Sequence, residues 1–257
     1  MDWQVKRNQC FASEVGKMFS FRRRGKRRHC AISTRADMMP VGRAELGGLS
    51  MPLQNRVNPL GELVANSARG MLMGNRGCLH DADKKIGRRR WTTQSWVTCA
   101  LSFNGRQREI MAPQHYTELF FLDEATALSA GHRPCATCRR ENHKRFIAAW
   151  LLGNDDPPDR KLLAPEINAV LHRERIMPVM NRSQAEVQDL PDAAMVTMDG
   201  SRTWVKWNGN FHEWSFDGYG GAVDAPSDRM VIVTPASTVR ALRHGYVAEV
   251  HPTLSAS

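Results

Sequence analysis

DEATALSAGHRPCATCRRENHKRFIAAW, residues 123 to 150, holds the one constellation in this chain that packing alone explains poorly. Asp123 is a natural helix N-cap, Ala125 to Ala130 favour helix, and Gly131 sits where a left-handed C-cap belongs. A short helix therefore ends before His132-Arg133-Pro134, and Cys135 and Cys138 follow as C-x-x-C in a tight polar turn. From Arg139 to Leu152 the pattern is helical again, with Phe146, Ile147, Trp150 and Leu151 on one face. Two thiols so spaced can converge on one zinc ion, which takes thiolates at about 2.3 Å. A redox dithiol would begin a helix after a buried strand in a βαβ unit. Here a helix precedes the pair, so metal is preferred and two further ligands are required.

Upstream, Cys78 and His80 supply them. In an extended segment residues two apart project to one side, so these two complete a Cys3His site with Cys135 and Cys138, and the expected cofactor is Zn2+. Asp81 can offer an oxygen or hold the second nitrogen of His80. Between the half-sites, Trp96 to Phe103 and Arg106 to Met111 flank Asn104-Gly105, the strongest short hairpin signal. Val97, Cys99, Leu101 and Phe103 share a face of the first strand, and Cys99 reads there as a small core residue. Tyr116 to Leu122 is a third strand leading into Asp123, and Leu63, Val64, Met71 and Leu72 are strand candidates in the Gly-rich stretch before Cys78. The hairpin is thus expected to bring both half-sites to one sheet edge.

Downstream, Gly153 to Pro158 is a linker or surface turn, and Pro165 opens a helix running to about Ile176, with His172 solvated on it. Ala194 to Met198, Arg202 to Trp207 and Phe211 to Phe216, joined by Asp199-Gly200 and Asn208-Gly209, form a β-meander. Its aromatics, Trp204, Trp207, Phe211, Trp214, Phe216 and Tyr219, read as core; stacking on nucleic-acid bases is the alternative. Gly218, Gly220 and Gly221 read as a loop, Met230 to Val233 as a strand, and Thr234-Pro235 as the start of a helix through Leu242. The fold expected is α+β, with antiparallel hairpins and short helices around a zinc knuckle, plus a small C-terminal β-meander and helix. Residues 51–153 form the zinc-binding part, and residues 154–257 the helix and meander packed on it.

The net charge of +10 is uneven. Residues 1–50 carry eleven Lys/Arg against four Asp/Glu, so +7 lies in that arm and only +3 in the remainder. The arm has too little apolar content to fold; it is a nucleic-acid arm, a transit-like segment, or an over-extended start with Met51 opening the protein proper. No apolar run is long enough for a membrane span, and six cysteines without a signal peptide or regular spacing argue for a reducing cytoplasm.

Phe121 to Arg139 resembles the second half of the N-terminal zinc module of the Ada methylphosphotriester repair protein, through Ala125, Ala130, Gly131, Arg133, Pro134, Cys135 and Cys138. The likeness extends at most over Cys78 to Arg140. More broadly, residues 52–252 resemble a bacterial family that brings no known activity with it. The Ada resemblance implies a zinc site in which one thiolate accepts a methyl group. The first half-site departs from that pattern, because it offers Cys78-x-His80 where the module has two cysteines. Three thiolates and an imidazole leave the site at −1, where four thiolates give −2, so the sulfur is less nucleophilic and a structural zinc is the expectation.

No Ser/His/Asp order, H-E-x-x-H or Walker loop is present. His115, His132 and His143 stand near the knuckle without a role, and Asn142-His143 resembles zinc-stabilised HNH nucleases without their ββα-metal spacing. The expected function is zinc-stabilised binding of DNA or RNA, with Arg133, Arg139, Arg140, Lys144 and Arg145 on phosphates. The alternative is a metal-dependent hydrolase, nuclease or alkyl transferase with an open zinc site.

Overall fold

The computed structural model describes residues 51–107, 109–154 and 164–255; the basic arm, residues 1–50, lies outside them. Pro52–Ser257 is one compact unit. Strands β1 (Arg56–Val57), β2 (Leu63–Val64), β3 (Leu72–Asn75), β4 (Val97–Ala100), β5 (Leu119–Phe121) and β6 (Arg133–Pro134) make one sheet, ordered β2-β1-β5-β3-β4-β6. Strands β7 (Gln184–Glu186), β8 (Met195–Thr197), β9 (Thr203–Trp207), β10 (Asn210–Ser215), β11 (Gly218–Val223) and β12 (Arg229–Ile232) make a second, ordered β11-β10-β9-β8-β12-β7. Helices α1 (Glu124–Ser129), α2 (Arg140–Gly153), α3 (Ala164–Ile176), α4 (Ala236–Arg243) and α5 (Pro252–Ser255) complete an α+β fold.

Helix α1 is short, and all six of its residues are buried. Six residues are too few to hold a helix by backbone bonds alone, so its ends are fixed by other elements. The Asp123 side chain caps it, accepting from Thr126 N at 2.9 Å and Thr126 Oγ1 at 2.7 Å. The other Asp123 oxygen accepts from Tyr219 Oη at 2.9 Å and His251 N at 3.0 Å. Burial raises the pKa of this carboxyl, and the four donors pull it back toward the anion. Beside it, the Glu124 carboxylate accepts from Arg139 Nη1 at 2.7 Å, Tyr246 Oη at 2.6 Å and Glu249 N at 2.9 Å. Gly131, at φ +79°, ends the helix as the sequence predicts, and its backbone fits against Arg175, whose Cδ would lie 2.6 Å from an added Cβ.

The larger core runs through both parts of the chain. Leu122, Ala125 and Leu128 pack with Phe146 and Trp150 of α2, Ile167 and Leu171 of α3, and Val196, Val205, Phe211 and Tyr219 of the second sheet. The meander aromatics are therefore core for the most part: Trp204, Phe211 and Tyr219 are buried, and Trp207 and Trp214 pack against the same cluster. A smaller core, with Val57, Leu63, Leu72, Leu119 and Phe121, belongs to the first sheet.

Three expectations change. The turn at Asn104-Gly105 forms, both residues at positive φ and Arg106 N donating to Phe103 O, yet no strand follows among the described residues of 106–111. Those residues are mostly exposed and polar, so nothing holds them against a partner, and β4 pairs instead with β3 and β6. The stretch read as a Gly-rich loop is strand β11, antiparallel to β10. Finally, Trp96 and Thr98 point into the core while Val97 and Cys99 are half-exposed, which inverts the face assigned to this strand. One large indole buried on the opposite face outweighs the alternation of smaller apolar residues.

Candidate metal centre

The knuckle is docked by β6, two residues long and parallel to β4 in the register Val97 with Arg133 and Thr98 with Pro134. Arg133 N donates to Trp96 O at 3.3 Å and Cys135 N to Thr98 O at 2.9 Å. The next step along this ladder places Cys99 beside Cys135. Arg139 locks the turn from below, its backbone N donating to Cys135 O at 3.1 Å and its Nη1 to Thr98 Oγ1 at 3.1 Å.

The sulfurs of Cys99, Cys135 and Cys138 consequently lie within 4.8 Å of one another, each residue half-buried. Thiolates held tetrahedrally at about 2.3 Å from zinc stand about 3.8 Å apart, so the donor set fits the ion with small adjustment. The protons are already shared. Hydrogen bonds from Cys138 and Cys99 hold the Cys135 thiol well below the usual range, and their bonds to Cys135 push the other two up. Thr137 N also donates to Cys135 Sγ, at 3.4 Å. A dication would replace those protons, since thiols bind metal as thiolates.

Cys78 and His80 are not members of this group among the described residues. His80 Nε2 donates to Ala112 O at 3.2 Å, which leaves Nδ1 of the neutral ring to accept from Thr117 Oγ1 at 2.7 Å, and that hydroxyl in turn accepts from Leu79 N at 2.8 Å. Both ring nitrogens thus serve the loop. Asp81 takes no part in orienting the ring; it accepts from the backbone N of Asp83 and Lys85, closing the turn after His80. The pairing of Cys78-x-His80 with the knuckle is therefore replaced by Cys99, the cysteine assigned to the core. Its only sequence cue is a negative one, that Trp96 and Thr98 claim the inner face of β4.

The arginines divide as well. Arg133 is buried, with Nε on Asn168 Oδ1 at 2.9 Å and Nη1 on Pro134 O. Arg139 is buried between Glu124 at 2.7 Å and Glu249 at 3.0 Å. Burial pulls its guanidinium down, and Glu124 with Glu249 more than offsets this. Neither can reach a phosphate on the surface. Arg140, Lys144 and Arg145 are exposed, Lys144 paired with Glu141 at 2.9 Å. His143 donates from Nδ1 to Pro134 O at 3.1 Å, and His115 is exposed. No helix among the described residues is long and apolar enough to cross a membrane. No family model, curated protein or solved structure matches this chain.

Proposed function

We propose that this chain is a zinc protein in which Cys99, Cys135 and Cys138 hold the metal as a staple between β4 and the knuckle, and that the protein so stabilised binds nucleic acid. The convergence of three thiols from segments 36 residues apart carries the metal reading. The Ada-like run into Cys135 and Cys138 supports it. For nucleic acid the support is the exposed run Arg88-Arg89-Arg90 beside half-open Trp91, a basic strip with a stacking ring, together with Arg140 and Arg145.

Zinc analysis of the purified protein tests the first part. One zinc per chain is expected for wild type and for Cys78→Ser, and almost none for Cys99→Ser; zinc retained in Cys99→Ser but lost in Cys78→Ser would refute it. Fluorescence anisotropy with a short single strand tests the second. Three phosphate contacts predict about a twentyfold loss of affinity between 50 and 200 mM salt, and no binding at the lower salt would end that reading.

A second reading follows from the count of donors. With three sulfurs in the group among the described residues, a fourth tetrahedral position would be left for water or substrate, which is the arrangement of a catalytic or alkyl-accepting zinc. A cobalt-substituted sample whose spectrum shifts on adding a small thiol or azide would favour it over a closed staple.

A further inference from the structure

On the far side of β4 from the cysteines lies a cavity of about 170 Å³ walled by Arg76, Arg90, Arg175 and Arg182, with Gly61, Trp91 and Trp96. Among the described residues no carboxylate lines it. Arg76 is 1% exposed. It gives Nη1 to Gly61 O at 2.8 Å and Nε to His132 Nε2 at 3.3 Å, while its Nη2 has no hydrogen-bond partner among the described residues. That nitrogen is itself buried, beside Gly61 of the cavity lining, where a Cβ would stand 3.7 Å from it. Arg175 is 8% exposed; it donates to Gly131 O and Gln94 O at 2.8 Å each, and its Nε is likewise without a partner.

What surrounds these cations does not neutralise them. Both guanidiniums stand over the Trp96 ring, at 4.1 and 3.7 Å from its centroid, but a cation–π contact contributes only about 0.5–2 kcal/mol and leaves the charge in place. His132 must be neutral to accept from Arg76, and burial, then Arg76 and Arg175, hold it well below the usual histidine range. Arg182 donates to the carbonyls of Met177, Val233 and Arg175. The carboxylate of Glu174 accepts from Ser237 N and Oγ, lies 4.0 Å from Arg240 Nη2 and partly offsets the burial of Arg182, so it compensates Arg182 and not Arg76 or Arg175. Burial and Arg90 push the Arg76 guanidinium down to about 9; burial, Arg76 and Arg133 do the same to Arg175. Because arginine keeps its proton in proteins, such pressure is relieved by an anion and not by titration.

We propose that this cavity binds a phosphomonoester group, its charge set against the uncompensated guanidiniums of Arg76 and Arg175 that wall it, with Arg90 closing the mouth. The volume far exceeds the roughly 10–15 Å³ one water needs, yet falls below the roughly 300 Å³ at which pockets for whole drug-sized ligands begin. It suits a head group whose remainder lies outside. There Trp91, 39% exposed and shared with an adjoining groove along Arg89 and Thr92 to Gln94, offers a ring face. A free nucleotide and the phosphorylated end of a strand share this chemistry.

The inference needs no zinc, and it extends the nucleic-acid reading without depending on it. Tryptophan fluorescence of the full chain at low ionic strength tests it, using inorganic phosphate, a nucleoside 5′-monophosphate, and two oligonucleotides differing only in a 5′-phosphate. Saturable responses to phosphate and to the monophosphate are expected. A monophosphate that binds as tightly as the phosphorylated oligonucleotide identifies a free nucleotide; at least tenfold preference for the phosphorylated over the hydroxyl oligonucleotide identifies a strand end. Arg90→Glu, at the exposed mouth, should weaken every phosphate arm at least tenfold with an unchanged circular dichroism spectrum, so the test does not depend on whether buried Arg76→Gln folds. No response to phosphate or monophosphate, or one that Arg90→Glu leaves intact, overturns the proposal. Salt-dependent binding of the hydroxyl oligonucleotide alone would sink the pocket and spare the nucleic-acid reading, and monophosphate binding without any oligonucleotide binding would do the reverse.

Discussion

Stripping zinc with a strong chelator is expected to lower the melting temperature by roughly 8–16 °C, the shift produced by about 4 kcal/mol of ligand stabilisation in a folded unit of some 200 residues. The figure corresponds to free zinc at about a thousandfold its dissociation constant, a condition that thiolate sites meet readily because their binding energy is large. The proposed metal would add to a short junction: β6 contributes only two ladder positions, and Cys99, Cys135 and Cys138 remain half-buried. Calorimetry in zinc buffer should show Cys99→Ser melting with the chelated wild type and Cys78→Ser with the loaded one. Loaded and chelated wild type melting within about 2 °C of each other would mean that the thiols contribute under about 1 kcal/mol and that the staple is idle.

Arg139→Ala is expected to cost about 3–5 kcal/mol, because it leaves the fully buried Glu124 carboxylate without its countercharge. In a unit of this size the loss lowers the melting temperature by roughly 6–20 °C. Tyr246 Oη and Glu249 N still donate to Glu124 and cannot replace a cation. Glu124→Gln alone should also destabilise, by stranding Arg139, but combining the two changes should cost much less than their sum. Chemical denaturation of the four proteins gives the coupling directly; additivity within about 0.5 kcal/mol would show that the pair does not act as a unit.

Local rules made the centre of the chain legible. Asp123, Gly131 and the thiol spacing fixed α1 and the knuckle from neighbours in sequence, and all three are where those rules place them. What the residues could not reveal was orientation. Alternation divides β4 into two faces without saying which is inside, and the answer depends on Trp96 finding His132 and Phe121's neighbourhood far along the chain. With the faces exchanged, Cys99 moved from the core to the three-thiol group with Cys135 and Cys138. Strand β6 is invisible for a related reason: two residues, one of them proline, have no periodicity, and their pairing arises only from the tertiary register. The basic cluster misled in the same way, since charge shows that Arg133 and Arg139 need partners and not that Asn168 and Glu124 are those partners. Strand β11 was masked by its glycines, which are tolerated at the rim of the second sheet, where most of the strand is exposed.

Adjacent carboxylates at the start of α1 reach across 96 to 128 residues, Asp123 to Tyr219 and the backbone of His251, Glu124 to Tyr246 and the backbone of Glu249. During synthesis both acids, and their near partners Thr126 and Arg139, leave the ribosome long before the distant groups that complete their hydrogen bonds. Until residue 251 has emerged, the helix at the heart of the molecule has two negative charges with nowhere dry to go, and a fragment ending at residue 153 meets the same obstacle permanently. Closure is thus a late event, enforced by long loop-closing contacts, and the tail near residue 250 serves as the clasp of the whole unit.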